Sequence, residues 1–139
     1  MIKNYILKHT VIPRLSKGLD VYSLRQKTTA DNIANVQTEG YRRKEVKFEE
    51  RLQSAMSSHL QGNTTNPNHI KLGGGSVQQV DPQVVEDTSA DLESGVNNVN
   101  IETEMVDQVK NEIRFLFGSR LINRNFAFLR ASIKGRFDQ

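Results

Sequence analysis

The chain has no cysteine, no tryptophan and only three prolines in 139 residues. Without cysteine there is neither a disulfide framework nor a thiolate metal site, and cysteine usage gives no clue to the redox compartment. The three histidines, His9, His59 and His69, stand in unrelated contexts with no metal-ligand spacing among them, so no metal is expected. No run approaches the ~20 apolar residues of a membrane span. The opening Met1-Ile2-Lys3-Asn4-Tyr5-Ile6-Leu7-Lys8 also lacks the apolar core of a cleavable signal peptide. Any exit from the cytoplasm is expected to use a route that needs no such signal.

Catalytic groupings are missing too. Gly73-Gly74-Gly75-Ser76 is not followed by Lys-Ser or Lys-Thr, so it is not a phosphate loop. The carboxylates Glu49, Glu50, Asp87 and Asp91 have no apolar surroundings that would tune one for acid–base work. The expectation is a protein that is not an enzyme, with no catalytic residue, no cofactor and no small-molecule substrate.

What the chain does have is two long stripes at coiled-coil spacing. Ile12, Leu15, Leu19, Tyr22, Gln26, Thr29, Ile33 and Val36 step by threes and fours along one helical seam. Ile101, Met105, Gln108, Glu112, Phe115, Ser119, Ile122, Phe126, Leu129 and Ile133 repeat the pattern near the other end. Between them, the stretch from Leu52 to Asn100 is rich in Gly, Asn, Ser, Thr and Gln. Its low apolar content cannot offset the entropy of ordering a backbone. The expected fold is mainly α: long N- and C-terminal helices form a coiled-coil layer around an irregular, disordered or at most weakly β middle. The divisions are 1–51, 52–98 and 99–139.

Charge follows the same division. Residues 1–51 hold eleven Lys or Arg against six Asp or Glu, residues 52–100 hold one against five, and residues 101–139 hold seven against five. Basic ends and an acidic middle are explained either by solvated helix faces or by opposite charges meeting between subunits.

The spacing predicts a first helix starting near Ile12 to Leu15, with Pro13 tolerated in the first turn. Taking Gly40 as its end makes Val36 and Tyr41 the apolar pair of a Schellman cap; a stop at Asn35 is the competing reading. Val46 and Phe48 suit a short extended piece leading into a helix carrying Leu52, Ala55 and Met56. Asn66-Pro67 reads as a turn, and Val77, Val80, Val84 and Val85 are weak strand material. Asn100 is the N-cap of the last helix, whose acids come first and bases last, in keeping with the helix dipole. Gly118 inside it costs roughly 1 kcal/mol relative to Ala and predicts a kink or a close helix contact.

Neither stripe can stay in water. Each large side chain buried is worth about 1.5 to 3 kcal/mol, so each seam needs a cover, and the two stripes are each other's nearest partners. The expected interface sets Leu15, Leu19, Tyr22, Ile33 and Val36 against Phe115, Ile122, Phe126 and Leu129, with Asn32 and Asn35 setting the register. Arg120, Arg124, Arg130 and Lys134 form a basic strip beside the second stripe, with no aromatic expected among them. A basic helical module binding nucleic acid or an anionic membrane is therefore the alternative reading.

One string is more specific. Ala30-Asp31-Asn32-Ile33-Ala34-Asn35-Val36-Gln37-Thr38-Glu39-Gly40-Tyr41 resembles the N-terminal signature of the flagellar rod, hook and hook-associated axial proteins, Asn-Ile-Ala-Asn followed by Thr-x-Gly-Tyr. Asn32, Ile33, Ala34, Asn35, Thr38, Gly40 and Tyr41 carry it, with Glu39 where the family commonly has proline. A helix ending at a glycine accounts for Gly40. It does not account for two asparagines in a helical frame, where Asn is a poor former and needs a partner group. Leu19-Asp20-Val21, Val46-Lys47-Phe48-Glu49, Asn66-Pro67-Asn68-His69-Ile70, Val99-Asn100-Ile101-Glu102 and the stretch Leu121–Arg136 are similar to flagellar basal-body rod proteins, most of all a proximal-rod subunit.

The resemblance implies a self-associating structural subunit of the bacterial flagellum that transmits motor torque through paired terminal helices. It implies residence in the basal-body rod, which spans the periplasm. Other rod subunits, the membrane-ring junction and the flagellar type III export apparatus are the implied partners, and nucleic acid is not among them. Terminal helices that order only on assembly would keep such a chain threadable for export.

Overall fold

In the computed structural model, which describes residues 10–57, 80–92 and 96–135, helix α1 spans Ile12–Ala34. Pro13 sits in its first turn, and the Leu15 N–H donates to the Val11 carbonyl at 3.0 Å. The helix ends at Asn35, the earlier of the two expected stops, and not at Gly40. Gly40 does take a left-handed φ of 70°, but its N–H goes to the Val96 carbonyl instead of back to the helix. The carbonyls beyond the helix end are claimed from outside: Asn97 Nδ2 donates to Asn35, Val36 and Thr38 at 2.9–3.2 Å. With those acceptors satisfied, a Schellman cap has nothing left to do.

Strand β1 (Lys44–Lys47) follows the turn and leads directly into helix α2 (Glu49–Ser57). Strand β2 (Gln83–Glu86) pairs with β1 antiparallel, Val46 opposite Val84 and Glu45 opposite Val85. Val84 and Val85 stay exposed. A small apolar core of Val21, Val46 and Phe48, flanked by Leu24, Leu52 and Val80, joins α1 to this two-stranded sheet. The sequence motifs at residues 66–70 and 73–76, Val77, and all three histidines lie outside the described residues.

Part of the acidic middle meets the basic N-terminal part within one chain. Lys17 pairs with Asp81 at 2.7 Å, Arg42 with Asp91 at 2.7 Å and Arg43 with Asp87 at 3.8 Å. The chain reversal that pairs β2 with β1 brings these groups together.

Helix α3 (Ile101–Lys134) is capped by Asn100, whose side chain accepts from the N–H groups of Glu102 and Thr103. It closes at Gly135 with φ 65°. At ~1.5 Å per residue it is about 50 Å long. It packs antiparallel on α1, as three contacts show: Leu19 lies against Gly118, Tyr22 and Gln26 against Asn111, and Asn32 against Glu104. Gly118 is the close contact expected of it.

The α3 seam is rotated from the expected one. Its buried residues are Glu104, Asn111 and Gly118, seven apart, with half-buried Asn125 seven further on. Ile101, Met105, Phe115, Phe126 and Ile133 are exposed. Apolar residues lie on more than one side of α3, so size and spacing alone selected the wrong line. The α1 seam carries polar and bulky groups at Gln26, Asn32, Leu19 and Tyr22, and it is met by hydrogen-bonding or small residues.

Register also corrects the expected pairing. Ile33 and Val36 lie beyond Glu104, and Phe126 is 22 residues, ~33 Å, along α3 from that point. Leu15, Leu19 and Tyr22 face the stretch from Asn111 toward Ile122. Since Leu19 meets Gly118, Ile12 is level with Asn125, so α3 runs on past the start of α1.

Candidate assembly interface

The signature residues build a polar junction where α1, the two-stranded sheet and α3 meet. Asn32, 1% exposed, uses its whole amide. Its Nδ2 donates to the Lys44 carbonyl (2.8 Å) and Glu104 Oε2 (3.0 Å). Its Oδ1 accepts from the Lys44 N–H (2.9 Å) and the Tyr41 hydroxyl (3.1 Å). A buried amide with all four bonds made holds a strand edge as another strand would. Asn35 plays a local part: its Nδ2 donates to the Asp31 carbonyl, and its Oδ1 accepts from the Thr38 hydroxyl. Ala34 is exposed and Ile33 half-buried.

Sequence reasoning passed over the other half of this junction. Arg43 Nε donates to the buried carboxylate of Glu104 at 2.6 Å, and its guanidinium also lies near Glu45, Asp87 and Asp107. Burial works to lower the Arg43 pKa, but the hydrogen bond and charge of Glu104, with Glu45 and Asp87, outweigh it and hold it above its ordinary value. Hydrogen bonds from Ser89, backbone first and then side chain, hold the Asp87 carboxyl below its usual range, with Arg43 and Lys47 adding to the effect. Asn98 Oδ1 accepts from the Arg43 N–H at 2.7 Å, and its Nδ2 donates to the Asp87 carbonyl and Ser89 Oγ. The run Asn97-Asn98-Val99-Asn100 was the available signal, since three side-chain amides in four residues need partners.

Outside this junction, the described surface carries an apolar groove and an apolar helix face. A groove of about 550 Å³ between α1, α2 and α3 is lined by Leu15, Val21, Tyr22, Phe48, Leu52 and Phe117, among others. On α3, Met105, Val106, Val109, Ile113, Leu116 and Phe117 are all exposed. At 100° per residue they fall within one third of the helix circumference, opposite Glu104, Asn111 and Gly118. That outer face turns basic after Gly118, with Arg120, Arg124 and Lys134. An aromatic does sit on the basic strip, contrary to expectation: the Arg124 guanidinium lies 5.3 Å from the centre of the Phe128 ring.

The sequence-derived interface residues are thus distributed unequally. Leu15, Leu19, Tyr22, Ile33, Val36, Ile122 and Leu129 are half-buried; Phe115 and Phe126 are exposed. Among the described residues there is no cluster of metal-ligating side chains, and no helix is long and apolar enough to cross a membrane.

A family model described as flagella basal body rod protein matches residues 16–42, a stretch running from the first turns of α1 through the signature turn. A flagellar basal body rod protein FlgB from Borrelia hermsii is 33% identical, the match covering 84% of this chain and 90% of the relative. FlgB proteins from Bacillus subtilis (27% identical, 89% and 93% covered) and Borreliella burgdorferi (31%, 70% and 76%) are also similar.

Proposed function

Since this chain belongs to the flagellar basal body rod protein family, we propose that it is a proximal-rod subunit that polymerises through its paired terminal helices and carries motor torque along the shaft. Membership makes it a structural component of the flagellar basal body, assembled with other rod subunits. The finer reading rests on one observation: α1 covers the Glu104, Asn111 and Gly118 face of α3, and a line of large apolar side chains on the opposite face stays exposed. A helix whose apolar line points away from its intramolecular partner belongs inside an assembly.

Met105, Val106, Val109, Ile113, Leu116 and Phe117 would meet neighbouring subunits, at about 1.5 to 3 kcal/mol for each large side chain fully covered. Phe126 and Leu129, level with or past the start of α1, extend the paired layer toward the next molecule. Phe115, Ile122, Leu15, Leu19, Tyr22, Ile33 and Val36 support that layer from within the subunit. Export without a cleavable signal, through the flagellar type III apparatus, and contact with the membrane-ring junction belong to the same reading.

Phe117→Asp and Phe126→Asp test it. Both substitute exposed side chains, so the isolated subunit should keep its helix content and be secreted normally, while neither variant enters the rod and cells lose motility. Normal rods from both would overturn the reading. Retention of the wild-type chain on DNA or anionic vesicles, with a steep salt dependence, would favour the basic binding module instead.

A further inference from the structure

A second, polar cavity of about 290 Å³ lies beside the junction, between α1, β1 and α3. Five cationic side chains line it: Arg25, Arg43, Lys44, Lys110 and Arg114. Only two acidic ones, Glu45 and Asp107, face them. Most of this positive charge is already engaged. Arg43 is bound to Glu104, Lys110 to Asp107 at 3.2 Å, and Lys44 lies 5.6 Å from the centre of the Tyr41 ring.

Two groups remain. Arg25 Nη2 donates to both Glu49 oxygens and to the Val46 carbonyl, which leaves Nη1 buried with no partner. Arg114 has no hydrogen bond or ion pair among the described residues. Beside them is Asn111, 2% exposed. Its Nδ2 donates to the Tyr22 carbonyl (2.8 Å) and Gln26 Oε1 (3.0 Å), which fixes the amide orientation and leaves Oδ1 buried and unpaired. Among the described residues, Arg25 Nη1 and Asn111 Oδ1 are the two buried side-chain polar atoms without a hydrogen-bond partner, and both residues line this cavity. Native interiors rarely leave such atoms unmet, and two in one cavity point to an occupant.

The three groups specify its chemistry. Arg25 Nη1 and Arg114 call for an acceptor, preferably anionic; Asn111 Oδ1 calls for a donor. A carboxylate next to a peptide N–H supplies both. We propose that this cavity is a socket for an acidic residue of a neighbouring rod subunit, its carboxylate held by Arg25 and Arg114 and its backbone N–H donating to Asn111 Oδ1. This rests on the assembly reading above and adds to it a polar contact that fixes register, which the non-directional apolar face of α3 cannot do.

Arg114 is the residue to change, because it is exposed and its loss breaks no hydrogen bond or ion pair among the described residues. Arg114→Glu should leave monomer helix content, melting temperature and secretion at wild-type levels. In the native bacterium it should lower incorporation into the rod by about tenfold or more, since it sets like charges against each other. Arg114→Lys should restore most of the incorporation. Suppressors of Arg114→Glu should change an acidic residue of a rod subunit to a basic one, and that position names the partner. If Arg114→Glu enters rods as well as wild type, the cavity holds only solvent and the socket is overturned. If the wild-type chain itself is missing from purified basal bodies, the assembly reading fails instead, so the two failures are distinguishable.

Discussion

Leu19 fills the space that a side chain at residue 118 would need: a Cβ built on Gly118 would lie 3.0 Å from Leu19 Cδ2. This is where α1 and α3 approach most tightly among the glycines described, and it sets the register of the pair. Everything on α3 beyond Gly118 is placed by this contact, including the stretch that outruns α1.

Substitutions at Gly118 should therefore split by size. Alanine removes a helix-interior glycine, a gain of roughly 1 kcal/mol, and needs only a few tenths of an ångström from a flexible leucine. It should stay near wild-type stability. Gly118→Leu should destabilise by about 1–3 kcal/mol through overpacking. Thermal denaturation followed by circular dichroism measures both, and a leucine variant melting with the wild type would mean the helices do not touch there.

The two signature asparagines should respond very differently. Asn32→Leu strands the Lys44 N–H and carbonyl, the Tyr41 hydroxyl and one Glu104 oxygen. Each buried group left unpaired costs about 1–3 kcal/mol, so a loss of roughly 3 kcal/mol or more is expected. Asn35→Ala loses solvent-exposed bonds to Asp31 and Thr38 and should cost less than about 1 kcal/mol. Urea denaturation midpoints of the two variants give the comparison; equal shifts would contradict the junction.

Tyr41 makes the junction sensitive to alkali. Burial first, then the nearby charges of Asp31, Glu104 and Glu86, raise its hydroxyl above the ordinary 10.0. The unfolded chain releases this proton near pH 10 while the folded chain keeps it. The Tyr41 contribution is therefore complete below about pH 10 and declines as pH rises through the higher folded value. Tyr41→Phe should lose some stability at neutral pH, where the bond to Asn32 is missing, yet fall less steeply above pH 10. Melting temperatures at pH 7 to 11 would show parallel curves if Tyr41 did not titrate in this way.

Much of this was legible along the chain. The seam of α1 could be read directly, since every position from Ile12 to Val36 on the predicted line is buried or half-buried. Asn100 as N-cap was equally local, because a cap depends on residues within one turn. The seam of α3 could not be read that way. Periodicity ranks faces by apolar content, and on a helix apolar on two sides the face chosen by the partner was the more polar one, through Glu104 and Asn111. The end of α1 was ambiguous for a related reason: Asn97, 62 residues from Asn35, settles it.

By itself, the sequence determined the helices, the N-cap of α3 and the presence of a signature whose asparagines needed partners, because backbone propensity and spacing act over a few residues. Only the tertiary structure decided which face of α3 turns inward and that Asn32 joins Lys44 to Glu104. It also decided that part of the acidic middle folds back onto the basic N-terminal part, and that two residues with an unpaired buried polar atom line one cavity. Those outcomes depend on which groups meet across tens of residues, where hydrogen bonds must be matched atom by atom and hydrophobicity alone does not discriminate.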